Sequence, residues 1–73
     1  MRKPAIAEHL TDDEYRNLTT TYAAHNSSIG LKYRADYNFG EIIKIKRNIP
    51  EKCFEVYYKN GEWFKYFLDG TWG

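Results

Sequence analysis

This 73-residue sequence has only one cysteine and two prolines, and its formal net charge is only +1. A single cysteine cannot form an intramolecular disulfide, so a disulfide-stapled secreted scaffold is excluded and a cytoplasmic location is expected. A charge so close to zero is unlike the strongly basic surface of a dedicated nucleic-acid binder. The small excess of lysine and arginine lies after residue 28.

Long apolar runs are also missing. No segment approaches the roughly 18 consecutive apolar residues of a membrane span, so no membrane association is expected. The opening residues 1–10 reach Glu8 and His9 before any apolar run that is long enough for a signal peptide. We therefore expect one small soluble domain that covers residues 1–73.

Residues that could support catalysis or bind a metal are few and poorly spaced. His9, His25 and Cys53 lack the spacing of a zinc site. Cys53 also lies within a predicted strand, with no nearby loop that could form an oxyanion hole. The five glycines follow no phosphate-binding pattern. We expect no enzyme activity, no metal and no cofactor.

Aromatic residues, in contrast, make up 18% of the chain. A domain of this size buries only about 60% of the surface that its unfolded chain exposes, so its stability is marginal. Each buried aromatic side chain removes roughly 150 to 250 Å² from water. A few of them can therefore build a core without a disulfide or a metal.

The segment LTDDEYRNL predicts the start of a helix. Thr11 is a favourable N-cap residue, and Glu14 three residues later completes a capping box. Asn26 tolerates the left-handed conformation that often ends a helix. We predict one helix over residues 11–25, preceded by an N-terminal arm at residues 1–10.

From Ile29 onward, apolar and polar residues alternate with the period of a β-strand. This alternation predicts a first strand through Asn38, and FGEIIKIKRN predicts a second. Asn60-Gly61, between two aromatic segments, predicts a hairpin with a two-residue type I′ turn. The predicted fold class is α+β, with one N-terminal helix packed on a three- or four-stranded antiparallel meander at residues 29–68 and a C-terminal tail at residues 69–73.

Two tight turns, at Pro50-Glu51 and at Asn60-Gly61, predict a register and therefore two faces. Tyr58 then faces Trp63. The face that the helix covers collects Ile43, Ile45, Phe54, Val56, Tyr58, Trp63 and Phe67. The opposite face collects Lys44, Lys46, Glu55, Tyr57, Lys59, Glu62, Phe64 and Tyr66, with Cys53 and Leu68 at one end.

Aromatic residues beside lysines on a sheet form a platform for a partner's hot-spot side chains or for stacked bases. The candidate binding residues are Lys44, Lys46, Tyr57, Lys59, Phe64 and Tyr66. The carboxylates of Glu55 and Glu62 on the same face repel phosphate, so a protein partner is favoured over a nucleic acid.

The predicted function is therefore a non-catalytic interaction module, of the inhibitor or adaptor type, that binds a protein through this face or a sheet edge. A nucleic-acid-binding module using the same residues is the alternative. Closure of the face within the fold, or its burial in a homodimer, also remains open.

The run VYYKNGEWFKYFLDGTWG resembles Tudor and SH3-like barrel sequences, in which aromatic residues and a tight hairpin shape a peptide groove. The resemblance covers residues 56–73 only and assigns no role to any residue here. It implies a small SH3-like barrel as an alternative to the open meander.

Overall fold

Helix α1 begins where the capping box predicts. In the computed structural model, which describes residues 3–73, α1 spans Asp12–Ser28. Glu14 N donates to Thr11 Oγ1 (3.1 Å) and Thr11 N donates to Glu14 Oε1 (2.8 Å), so both halves of the capping box form. The helix continues past its predicted end at residue 25, where the Ser28 hydroxyl donates to His25 O (2.6 Å) and satisfies one of the terminal carbonyls.

The predicted N-terminal arm contributes to the core. A 3₁₀ turn at Ala5–Ala7 precedes α1, and the side chains of Ala7 and Leu10 are buried. Met1 and Arg2, the first residues of the predicted arm, lie outside the described residues.

The predicted first strand, residues 29–38, is wrong. This segment forms a short helix, α2, at Leu31–Arg34, followed by 3₁₀ turns at Ala35–Tyr37 and Phe39–Glu41. Its alternating apolar residues do not share a buried face, because Leu31 is 80% exposed and Tyr33 is 57% exposed. Local alternation predicts a strand only where a neighbouring strand and a core are present to use it.

Tyr37 and Phe39 anchor this connection to the core. The ring of Phe39 packs edge-on against Tyr22 of α1, with centroids 5.1 Å apart. Tyr37 packs in the same way against Tyr58, also at 5.1 Å. These contacts bury aromatic surface of the segment without strand pairing, and they outweigh its local β-like pattern.

The sheet is an antiparallel meander of three strands, β1 Ile42–Asn48, β2 Cys53–Tyr58 and β3 Trp63–Phe67, in the order β1-β2-β3. With the helices it makes an α+β fold, as predicted. The sheet does not close, so the SH3-like barrel is wrong.

The turn between β1 and β2 has Pro50 and Glu51 at its centre, as predicted. Lys52 N donates to Ile49 O (3.1 Å) and closes a β-turn around them. Proline favours the second position of such a turn because its ring already fixes the required φ.

The predicted register between β1 and β2 is confirmed over most of the pair, with Lys44 opposite Tyr57. The register shifts between Ile42 and Lys44, so that Ile42 rather than Ile43 faces Tyr58. Ile42 is consequently buried and Ile43 is 60% exposed, which corrects the predicted core.

The second hairpin differs from the prediction by one residue. Tyr58 N donates to Glu62 O (2.9 Å), and Gly61 N donates to Tyr58 O (3.0 Å). The loop therefore comprises Lys59, Asn60 and Gly61 rather than Asn60-Gly61 alone. Gly61 has a φ of +91°, the left-handed conformation that follows a type I turn in a three-residue hairpin loop.

This extra loop residue exchanges the two faces of β3. The predicted pairing of Tyr58 with Trp63 is wrong, because Tyr57 faces Trp63. A shift of one residue turns every side chain of a strand to the other face. The aromatic residues affected are Phe64 and Tyr66, which move to the inner face, and Trp63 and Phe67, which move to the outer face.

The core lies between the inner face of the sheet and a layer made by α1 and the N-terminal turn. Its buried hydrophobic residues are Ala7, Leu10, Leu18, Ile42, Ile45, Phe54, Val56, Tyr58 and Tyr66. Aromatic residues from the helix and from the 29–41 connection pack around this cluster. One side of the sheet is thereby covered.

The two edges of the sheet differ. The chain turns back after β3, and Lys65 and Gly73 exchange two backbone hydrogen bonds of 2.9 and 3.0 Å. The predicted C-terminal tail, residues 69–73, thus covers the outer edge of β3. Within residues 3–73, no such backbone pairing covers the outer edge of β1.

Replacing Thr11 by alanine should lower the free energy of unfolding by about 0.5 to 2 kcal/mol, because Glu14 N loses its acceptor. Chemical denaturation followed by circular dichroism measures the change. Thr20→Ala is the matched control, since the Thr20 hydroxyl donates to Arg16 O (2.9 Å) inside the helix and caps nothing. A Thr11→Ala variant as stable as the parent would show that the cap contributes no stability.

Gly61→Ala should cost about 1 to 2 kcal/mol, because an L-residue is strained in the left-handed conformation. A Cβ at Gly61 would meet no atom within 4 Å, so the cost is conformational and not steric. Gly61→Asn should recover much of the loss, since asparagine tolerates this conformation. Urea unfolding of the three proteins tests this, and equal stability of all three would contradict it.

Candidate functional site

The side of the sheet opposite α1 is here called the outer face. It consists of three cross-strand rows, which are Lys44, Tyr57 and Trp63, then Lys46, Glu55 and Lys65, then Asn48, Cys53 and Phe67. The core and helix α1 lie on the other side of the sheet. Helix α1 therefore leaves the outer face uncovered.

A stacked aromatic pair dominates the first row. The rings of Tyr57 and Trp63 lie nearly parallel, with centroids 5.6 Å apart and an interplanar angle of 19°. Lys44 Nζ lies 5.8 Å from the Tyr57 centroid, within the range of a cation–π contact. Trp63 is still 48% exposed. The pair is thus ordered by contacts within the chain and still exposes part of its surface.

A hydrogen bond fixes the far end of Tyr57. Its hydroxyl donates to Glu55 Oε1 (2.8 Å), and Asn48 Nδ2 donates to Glu55 Oε2 (3.0 Å). The hydrogen bond from Tyr57, followed by that from Asn48, holds the pKa of the Glu55 carboxyl below its usual value. Glu55 thus serves to position Tyr57 as well as to carry charge.

Ion pairing leaves the outer face with a local excess of positive charge. Lys65 Nζ lies 2.7 Å from Glu51 Oε2, and this contact raises the pKa of Lys65. Among the described residues, Lys44 and Lys46 form no ion pair within 4.0 Å and are exposed. Two lysines on one strand therefore lie beside the aromatic pair.

The structure brings together only part of the binding set predicted from the sequence. Lys44, Lys46 and Tyr57 share the outer face, and Lys59 is exposed in the hairpin loop at one end. Two of the predicted residues, Phe64 and Tyr66, do not lie on the outer face. They lie on the inner face, where Tyr66 is 1% exposed.

Trp63 is the residue that sequence reasoning missed. A two-residue Asn60-Gly61 loop predicts that Trp63 lies in the core, whereas the observed three-residue loop places it on the outer face. The sequence also fits a three-residue loop ending in glycine, which would have placed Trp63 beside Tyr57.

On the inner face, a buried chain of polar groups links α1 to the sheet. His25 Nδ1 lies 2.7 Å from the Tyr66 hydroxyl, which is hydrogen-bonded in turn to the Tyr58 hydroxyl. Burial lowers the pKa of His25 and raises the pKa of Tyr58 to about 12. The Phe64 ring packs on the imidazole, with centroids 4.5 Å apart.

A cleft of about 270 Å³ lies between the first turns of α1 and the β1–β2 turn. Phe54, Leu68 and Cys53 line it, and an ion pair between Arg47 and Glu14 (2.6 Å) borders it. The hydrogen bond from Arg47 lowers the pKa of Glu14 to about 2. Burial raises the pKa of the Cys53 thiol, which disfavours the nucleophilic thiolate.

The described part of the chain has no group of three histidine, cysteine, aspartate or glutamate residues placed to hold a metal ion. No helix within residues 3–73 is long and apolar enough to cross a membrane.

Comparison with known proteins gives no match to a protein-family model, to a curated protein or to a solved structure. The chemistry of the chain's own residues is therefore the basis for interpreting the outer face.

His25 should make stability depend on pH. The unfolded chain has the ordinary histidine pKa near 6.5, whereas burial lowers the pKa in the folded state. The unfolded state therefore binds the proton more readily, so the free energy of unfolding should be greatest above about pH 6.5 and fall as the pH drops below it. Urea unfolding between neutral and mildly acidic pH measures this slope.

The matched variants separate this effect from other titrations. His25→Gln should lose most of the slope, whereas His9→Gln, which changes the exposed second histidine, should keep it. The hypothesis fails if the His25→Gln protein keeps the parent's slope.

Proposed function

We propose that this chain is a non-catalytic interaction module, of the inhibitor or adaptor type, that binds a protein partner through the outer face. The observation that carries the proposal is the exposed, preordered stack of Tyr57 and Trp63 on an uncovered sheet. Tryptophan and tyrosine are enriched among the residues that contribute most to protein–protein binding. Because the pair is already ordered, binding would cost little side-chain entropy.

The surroundings of the stack also support a protein partner. Ile43, 60% exposed, adds apolar surface next to Lys44, so the site combines aliphatic, aromatic and cationic groups. This mixture is typical of a protein interface, which has an apolar centre and a polar rim. An exposed aromatic cluster lowers the solubility of a protein, so its presence favours a binding role for this surface.

The reactive groups of the chain support a non-catalytic role. His25 is 5% exposed and bonded to Tyr66, and the thiol of Cys53 is buried with a raised pKa. Neither has the open position and activating partner that nucleophilic catalysis needs. We propose no cofactor for this module.

A nucleic-acid-binding module is the second candidate, favoured by the same stack next to Lys44 and Lys46. Single-stranded nucleic acid binds aromatic platforms flanked by positive charge. The carboxylate of Glu55 lies between the lysines of the second row and opposes phosphate, so we rank this candidate below a protein partner.

Trp63→Ala should weaken binding to the partner by about 2 kcal/mol, or roughly thirtyfold in Kd. The partner is identified by affinity capture and mass spectrometry, and Kd is then measured with both purified proteins by calorimetry. Tyr33→Ala is the control, because Tyr33 is an exposed aromatic residue on α2, outside the outer face. Thermal unfolding verifies that both variants stay folded.

Equal affinities of the Trp63→Ala variant and the parent would refute the outer face as the binding site. Titration with homopolymeric single-stranded DNA, followed by tryptophan fluorescence at several salt concentrations, tests the second candidate. Binding that quenches the fluorescence of the parent but not that of the Trp63→Ala variant, which retains Trp72, and that weakens steeply with salt would favour nucleic acid over protein.

A further inference from the structure

In the part of the chain that the structure describes, no further strand pairs with the outer edge of β1. Residues 71–73 pair with β3 on the opposite edge, and β2 lies in the centre. Within residues 3–73, the backbone groups on the outer side of β1 have no backbone partner. An edge of this kind is a template for pairing with another extended segment.

Hydrogen-bond alternation identifies the backbone groups that point outward. Tyr58 N donates to Glu62 O (2.9 Å) and Leu68 N donates to Lys52 O (3.2 Å), so the even-numbered residues of β2 direct their backbone groups toward β3. The odd-numbered residues of β2 therefore pair with β1. Their partners are Lys44 and Lys46, so the outward-pointing backbone groups in that stretch of β1 belong to Ile45 and Arg47.

The side chains along this edge carry more positive than negative charge on one face. Lys44 and Lys46 are two residues apart and both lie on the outer face, exposed and without an ion pair among residues 3–73. The charge of Arg47 is satisfied on the other face by Glu14, 2.6 Å away. A strand added beside β1 would place every second side chain next to the two lysines.

A second copy of this chain fits the edge poorly. Antiparallel pairing of two β1 strands centred on Ile45 sets Lys44 opposite Lys46 of the other copy. Centring the pair on Lys46 sets that lysine opposite its own counterpart. Like charges directly opposite each other destabilise strand pairs. The lysines therefore protect the edge from self-association while leaving it complementary to negative charge.

We propose that the free edge of β1 binds an extended segment of the protein partner in which aspartate or glutamate occupies alternate positions. This inference rests on the proposed function and adds the partner's chemistry to it. The backbone of the segment pairs with Ile45 and Arg47, and its acidic side chains lie beside Lys44 and Lys46 on the outer face. The added strand would bring the rest of the partner next to the stack of Tyr57 and Trp63.

The experiment uses synthetic peptides as probes and the whole chain, labelled with ¹⁵N, as the receptor. One peptide alternates glutamate with valine, a second alternates lysine with valine, and a third is the glutamate peptide with N-methyl groups on alternate amides. The first should bind and protect the amides of Ile45 and Arg47 from hydrogen exchange. The second should bind about tenfold more weakly, and the third should give no protection.

A charge exchange supplies the matched variant. The double variant Lys44→Glu and Lys46→Glu should prefer the lysine peptide, with the same two amides protected. A control double variant, Arg16→Glu and Lys32→Glu, makes the same change in net charge at exposed positions on α1 and α2 rather than on the sheet, and should keep the parent's preference.

The outcomes distinguish failure of strand addition at β1 from failure of the outer face as the binding site. Binding without protection of Ile45 and Arg47, or with a preference that the exchange does not reverse, overturns strand addition. So does the absence of binding by any peptide. In those cases the outer face is judged by the effect of Trp63→Ala on the captured partner, which does not depend on the peptides.

Discussion

The left-handed backbone of Gly61 is the local constraint on which the arrangement of the aromatic residues depends. It ends a three-residue loop, and the length of that loop sets which residues of β3 face inward. With this loop, Tyr66 reaches the core and Trp63 reaches the outer face. A loop shorter by one residue would bury Trp63 and expose Tyr66. The conformation of Gly61 therefore determines which aromatic residues of β3 enter the core and which lie on the candidate binding surface.

The inward position of Tyr66 explains why a small core contains buried polar groups. Its hydroxyl needs a hydrogen-bond partner away from water, and His25 of α1 and Tyr58 of β2 supply two. The same hydroxyl chain links the helix to the sheet at a defined position, because an unpaired buried hydroxyl would destabilise the fold. His25 thereby helps to orient α1 against the sheet. Because burial lowers the pKa of its imidazole, protonation of His25 destabilises the fold.

Within residues 3–73, the helical elements cover only one face of the sheet. α1 and the N-terminal turn shield the inner face, and the 29–41 connection fills the remaining space with Tyr37 and Phe39. The outer face is stabilised instead by contacts among its own side chains, which are the ring stack, the Tyr57–Glu55 hydrogen bond and the Lys65–Glu51 ion pair. These contacts order the surface without burying it, which suits a surface that meets a partner.

The sequence by itself determined the features that depend on neighbouring residues. The capping box at Thr11 set the start of α1, and Pro50-Glu51 set the register of β1 with β2, which brought Lys44, Lys46 and Tyr57 together. Only the tertiary structure decided the loop at Gly61, the helical course of residues 31–34 and the pairing of residues 71–73 with β3. In each of these, local preferences are nearly balanced, so burial against distant residues selects the conformation. The place of Trp63 beside Tyr57 follows from that selection.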